Sequence, residues 1–117
     1  MDGEVLLATL PSSKVHLPAD QPATHGCLEI ENIGVNCYIF EENRPITKCG
    51  WSFELNTYCY GSWIDDYSIT ALSEKHSIPG VDYEIVGELT NEELQNIILC
   101  FKNSASVKRK YRRLLNH

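Results

Sequence analysis

The polar and apolar positions of this chain form several short runs of period two and then runs of period near 3.6. Residues 48–55 alternate most strictly: Cys49, Trp51, Phe53 and Leu55 fall on one side, Lys48, Gly50, Ser52 and Glu54 on the other. A strand with one buried and one wetted face has this period, so a strand is predicted over 46–55. Upstream, 27–31 and 35–41 read as two strands joined by Asn32-Ile33-Gly34, a turn whose glycine can take positive φ. In the second, Val35, Cys37 and Ile39 share one face, and Asn36, Tyr38 and Phe40 the other. The aromatic stretch 58–64 predicts a further strand. Val81, Tyr83 and Ile85, alternating with Asp82 and Glu84, predict one more that ends near Gly87. Pro11, Pro18 and Pro22 restrict the first 26 residues to edge strands (5–10 and 14–17) or an extended arm.

Thr90-Asn91-Glu92-Glu93 has the form of a capping box, in which the threonine hydroxyl accepts from the third helical N–H and Glu93 reaches back. It predicts a helix over 90–102 with Leu94, Ile97, Ile98 and Phe101 as its inner face. Asn103 ends that helix. Ser104 or Ser106 can cap a second one with Val107, Tyr111, Leu114 and Leu115 turned inward. Asp65 and Asp66 read as the cap of a short helix over 67–76, with an extended 67–72 as the competing reading. The expected architecture is one α+β domain: an arm (1–26), a mainly β region (27–89) and a helical end (90–117). An antiparallel meander of about five strands would carry two C-terminal helices packed on one face.

At 117 residues, with 43 % hydrophobic and 22 % charged positions, the chain can bury an ordinary core without a metal or disulfide. No apolar run reaches the roughly 20 residues that span a bilayer, and the acidic start is unlike a secretory leader, so no membrane partner and a cytoplasmic address are expected. Five cysteines without a Cys-x-x-Cys argue against a zinc ribbon; they are expected to be reduced and mostly buried. Cys37 and Cys49 could face each other across a hairpin, and a cytosol would keep them as thiols. His16, His25 and Cys27 form only a weak metal pattern, and no glycine-rich phosphate loop can be written, so no metal and no cofactor are expected.

Charge separates sharply along the chain. All sixteen acids lie in residues 1–101, whose formal charge is −12, whereas residues 102–117 carry six bases and no acid. An acidic body repels nucleic acid and attracts cationic proteins. The candidate partner surface comprises Trp63 and Tyr60 as aromatic anchors with Glu41, Glu42, Glu54, Asp65 and Asp66 as acids. The partner implied is a basic protein, a toxin or a nucleic-acid-handling protein, blocked by occlusion without catalysis. A second reading assigns Lys108, Arg109, Lys110, Arg112 and Arg113 to phosphate contacts, with Tyr111 for stacking. The alternative for that basic run is a face packed on the acidic body. A third function class is a cysteine-dependent enzyme with a distant histidine partner.

Cys59-x-Gly61-x-Trp63-x-x-x-Tyr67-x-Ile69, followed by Leu72 and Pro79-Gly80, resembles a motif in a family of bacterial immunity proteins that neutralise polymorphic toxins. The likeness spans residues 59–80. Ser62 stands where that family has aspartate, Ile64-Asp65 where it has Glu-His, and the Pro-Gly falls later without its following tryptophan. The resemblance implies a small cytoplasmic inhibitor of a toxin.

Overall fold

Residues 36–40 are buried on both faces of their strand, and the fold is arranged to cover both. The structure is a computed structural model that describes residues 4–13, 17–68, 74, 78 and 84–115. Among them are five strands, β1 (Glu4–Ala8), β2 (Gly26–Ile30), β3 (Val35–Phe40), β4 (Thr57–Tyr60) and β5 (Ile64–Ser68), and two α-helices, α1 (Asn91–Lys102) and α2 (Arg109–Leu115). The class is α+β, with α1 and α2 at the C-terminal end. β2, β3 and β4 form an antiparallel meander, while β1 and β5 pair as a separate two-stranded sheet. The strands are therefore shared between two sheets rather than strung along one.

The register explains the two covers. Tyr38 lies opposite Cys27 on one side and Cys59 on the other. Tyr38, Phe40 and Cys59 face the helices and pack with Cys100, Phe101, Val107 and Tyr111. Cys37, Ile39, Tyr58 and Tyr60 face the other way, against Leu17, Ala23, Leu28 and Trp63. The N-terminal segment thus lines the second face, and Pro11 accepts from the Tyr58 N–H of β4 at 2.9 Å. Of the expected strand at 14–17, only Leu17 lies within the described residues.

After β4, a 3-10 turn (Gly61–Trp63) redirects the chain into β5. A Cβ at Gly61 would stand 2.5 Å from Asn36 Oδ1 and 2.7 Å from Val107 Cγ2, so the turn packs there only because the residue is glycine. Gly61, Cys59 and Trp63 of the immunity-like motif thus all have packing roles. The Tyr67 side chain and Ile69, Leu72, Pro79 and Gly80 lie outside the described residues.

The strand expected over 46–55 does not form. Gly50 takes φ +87° and donates to Thr47 at 3.0 Å, closing a turn in the middle of the alternating run. Ile46 then donates to Trp51 at 3.0 Å and Asn43 to Phe53 at 2.7 Å, so the stretch doubles back on itself. Trp51 and Phe53 still pack on the core, but Cys49 and Leu55 are exposed. Residues 84–88 are exposed and not in a strand, while Leu89 makes one bridge to Thr47. The rest of the strand expected at 81–87 lies outside the described residues.

Thr90 caps α1 as expected, accepting from Glu93 N at 3.1 Å. The reciprocal half of the box is replaced, because Ile46 accepts the Thr90 N–H at 3.0 Å. That releases the Glu93 carboxylate to turn inward. The buried positions of α1 are Glu93, Cys100 and Phe101, with Ile97 partly covered, whereas Leu94 is 43 % exposed. The inner stripe is therefore rotated from the expected one. Val107 and Tyr111 are buried and Leu114 and Leu115 half-buried, as the α2 pattern requires.

This phase is checked by urea denaturation of alanine variants. Phe101→Ala is expected to cost about 3–5 kcal/mol, Thr90→Ala about 1 kcal/mol and Leu94→Ala within about 0.5 kcal/mol. Equal losses at 94 and 101 would contradict the assignment.

Candidate functional site

Asp65 and Asp66 do not cap a helix. They lie in β5 opposite Leu7 and Leu6 of β1, and the α2 phenol reaches both. Tyr111 Oη stands 2.7 Å from Asp65 Oδ1 and 2.8 Å from Asp66 Oδ1, so one hydroxyl proton is shared between two carboxylates. Lys110 Nζ adds a contact to Asp66 at 3.6 Å, and the Lys108 and Lys110 ammonium groups lie 5.8 and 5.0 Å from the Tyr111 ring centroid. The hydrogen bond from Tyr111 holds both aspartates below the usual carboxylate range. The same bonds, led by that to Asp65, push the phenol up. The basic segment is thus partly spent on the acidic body. Lys108, Arg109 and Arg113 are exposed, and Arg112 donates its Nε to the Val107 carbonyl at 3.1 Å.

The expected aromatic anchors also move. Tyr60 is 1 % exposed and cannot present a ring to a partner. Trp63 is half-buried 5.3 Å from the Tyr60 ring, beside Asp65, Leu7 and Ala8 at a cleft of about 300 Å³. Its place there depends on the packed second face of the meander.

The remaining acids are brought together by the doubled-back loop. The Asn43–Phe53 bond and a bond from Glu42 N to Asn56 Oδ1 (2.8 Å) tie 41–44 to 53–56, placing Glu41, Glu42 and Glu54 on one loop cluster, all exposed. Trp51 and Phe53 pack edge to face at 4.8 Å and line a cleft of about 420 Å³ with Leu10, Ser12, Glu54 and Leu55. Leu55 is 60 % exposed at its rim. Glu41 pairs with Arg44 at 3.7 Å, an exposed contact worth about 0–1 kcal/mol that an incoming arginine can displace. Strict alternation puts Trp51 on one face of a strand; the turn at Gly50 instead leaves it half-buried, packed on the core and lining this cleft.

A polar node lies on the helix side. Glu93 Oε2 accepts from the Tyr38 hydroxyl and meets His25 Nε2 at 2.7 Å. His25 Nδ1 accepts from the Glu41 N–H at 3.1 Å, which assigns the proton of the neutral ring to Nε2, pointing at Glu93. Burial first, and the Glu93 bond second, push the Tyr38 phenol above its usual range. No two or three spacings in the sequence join residues 25, 38 and 93; only the buried acid of α1 betrays them. His16, the other member of the weak metal pattern, lies outside the described residues, and among those described no three His, Cys, Asp or Glu side chains are grouped to hold a metal ion.

The cysteines depart from the expectation of five reduced thiols. Cys27 of β2 and Cys100 of α1 form a disulfide with Cα atoms 5.5 Å apart. Cys37 and Cys59 are buried thiols pushed up to about 12 by desolvation. Cys49 is exposed, and a hydrogen bond with Thr47 (3.3 Å) lowers it. Cys37 and Cys49 do not face each other across a hairpin: Cys37 lies opposite Leu28 and Tyr60, and Cys49 sits in the 47–50 turn. Among the described residues, no helix is long and apolar enough to cross a membrane.

The Tyr111 clasp makes stability depend on acid. An unfolded aspartate titrates near about 3.9. Asp65 and Asp66 lie lower in the fold, so their stabilisation is complete above the unfolded value and is lost as pH falls through the folded ones. In Tyr111→Phe the melting temperature is expected to drop at neutral pH and to decline less steeply with acid than in the parent. Parallel curves would show that the hydroxyl does not hold the pair.

No protein-family model, no curated protein and no solved structure matches this chain.

Proposed function

We propose that this chain is a small acidic, non-enzymatic binding protein that acts in the cytoplasm by occluding a basic protein, in the manner of an inhibitor or immunity protein. The observation that carries this reading is the 41–56 loop cluster, where Glu54 lines a cleft shared with Trp51 and Phe53 and the exposed Glu41 and Glu42 lie on the segment tied to it. Aromatic floors exclude water and supply the apolar contact of an interface, while acids at the rim steer and orient lysines and arginines. The rings can also stack with guanidinium groups.

The loop cluster is favoured over Asp65 and Asp66 because those two acids already share Tyr111, and Asp66 also pairs with Lys110. For the same reason the basic run is better read as a contributor to the fold than as a phosphate-binding face. The net charge of −6 acts in the same direction, opposing approach to a polyanion. The immunity-like motif agrees with an inhibitory role, although its described residues are packing positions.

The test is affinity capture from lysate of the source cells followed by titration of the captured protein. A strongly basic protein is expected. Glu41→Lys, Glu42→Lys and Glu54→Lys together place like charges against it, which costs about 3 kcal/mol, on the order of a hundredfold in affinity. Asp65→Asn with Asp66→Asn should leave affinity per folded molecule unchanged. An intact affinity after the triple reversal, or salt-sensitive capture of nucleic acid lost on removing the α2 bases, would overturn the proposal.

A further inference from the structure

The two cysteines of the Cys27–Cys100 disulfide differ in exposure, although both border one cleft. Cys27 is exposed on β2, whereas Cys100 is 7 % exposed on the inner side of α1. A cleft of about 460 Å³ opens on the pair, walled by His25, Tyr38, Arg44, Asn96 and Leu99. From the buried side, Asn36 Nδ2 lies 3.4 Å from Cys100 Sγ and 4.0 Å from Cys27 Sγ, and also contacts Glu29 Oε1 at 3.1 Å and the Cys100 carbonyl at 3.4 Å. Asn36 is 2 % exposed, so this donor has a fixed position against the sulfurs.

An exposed cysteine bonded to a buried one sets a direction for thiol–disulfide exchange, because the attacking thiolate must reach one sulfur and expel the other along the bond axis. We propose that Cys27–Cys100 is an exchange site for a low-molecular-weight monothiol that enters this cleft. The incoming thiolate attacks Cys27 Sγ, the S–S bond breaks, and Cys100 Sγ leaves as a thiolate beside the Asn36 amide. The Cys37 carbonyl, 3.8 Å from Cys100 Sγ, accepts from the thiol once it is protonated. A second monothiol attacks the exogenous sulfur of the mixed disulfide and releases Cys27. Two monothiols are oxidised to one disulfide, the protein disulfide is reduced to two thiols, and the two protons brought in end on Cys27 and Cys100.

Exchange need not unfold the domain. α1 remains seated through Glu93, which takes the Tyr38 hydroxyl, and through Phe101 in the core. The other thiols do not compete from inside: Cys37 and Cys59 are buried, and Cys49 stands on the 47–50 turn. In a cytosol, disulfides are usually transient and redox-sensing, which fits an accessible one. The inference does not depend on the partner proposed above.

The test uses the air-oxidised full chain carrying Cys49→Ser, treated with reduced glutathione, acid-quenched, alkylated and peptide-mapped by mass spectrometry. The adduct is expected on Cys27 in preference to Cys100 by roughly tenfold or more, while near-ultraviolet circular dichroism stays that of the folded chain. In the same background, Cys100→Ser treated with oxidised glutathione should take the adduct at Cys27 without denaturant. An adduct mainly on Cys100, labelling that begins only when urea unfolds the chain, or free thiols at both positions after air oxidation would each overturn the proposal.

Discussion

A buried carboxylate must be answered where it lies, and Glu93 of α1 is answered by the sheet. The Tyr38 hydroxyl and the His25 Nε2–H converge on one of its oxygens, linking α1 to β3 and to the segment that enters β2. Leaving a buried acid unpaired is far more costly than never burying one, so this node specifies where α1 can sit. With α1 placed, Cys100 comes opposite Cys27, Phe101 enters the core, and the chain leaves the helix where Val107 can meet Gly61. The position of α2, and with it the reach of Tyr111 to Asp65 and Asp66, follows from the same placement.

The charge asymmetry of the sequence acquires a shape through that sequence of contacts. Acids that α2 can reach are engaged by its phenol and lysine, whereas Glu41, Glu42 and Glu54 stay exposed on the 41–56 loop, Glu54 beside the cleft lined by Trp51 and Phe53. One population contributes to holding the fold and the other remains exposed to solvent. The division rests on distance alone, since the two groups are chemically alike.

Much of the fold was legible. β3 and its two faces, the turn at Gly34, the Thr90 cap and the inward positions of α2 all follow from local patterns that the tertiary structure agrees with. The failures have physical causes. Strict alternation in 48–55 cannot report a glycine at φ +87°, which folds the stretch back and leaves Cys49 and Leu55 exposed. The capping-box pattern assigned Glu93 a local role, but Ile46 takes the Thr90 N–H, a partner 44 residues away that no window contains. The Cys27–Cys100 bond joins residues 73 apart, and cysteine spacing could not choose it. Asp65 and Asp66 carried signals for a cap and for an interface alike; the strand pairing with β1 decided against the first, and Tyr111 bonds both while Asp65 stays exposed.

The most direct measurement is a double-mutant cycle for Tyr38 and Glu93, using Tyr38→Phe, Glu93→Gln and the double variant in urea unfolding under non-reducing conditions. If the buried carboxylate seats α1 through this phenol, the coupling should be about 1.5–3 kcal/mol, the range for hydrogen bonds to charged groups. Losses that add to within about 0.5 kcal/mol would mean that the two side chains act independently and that α1 is positioned by apolar packing alone.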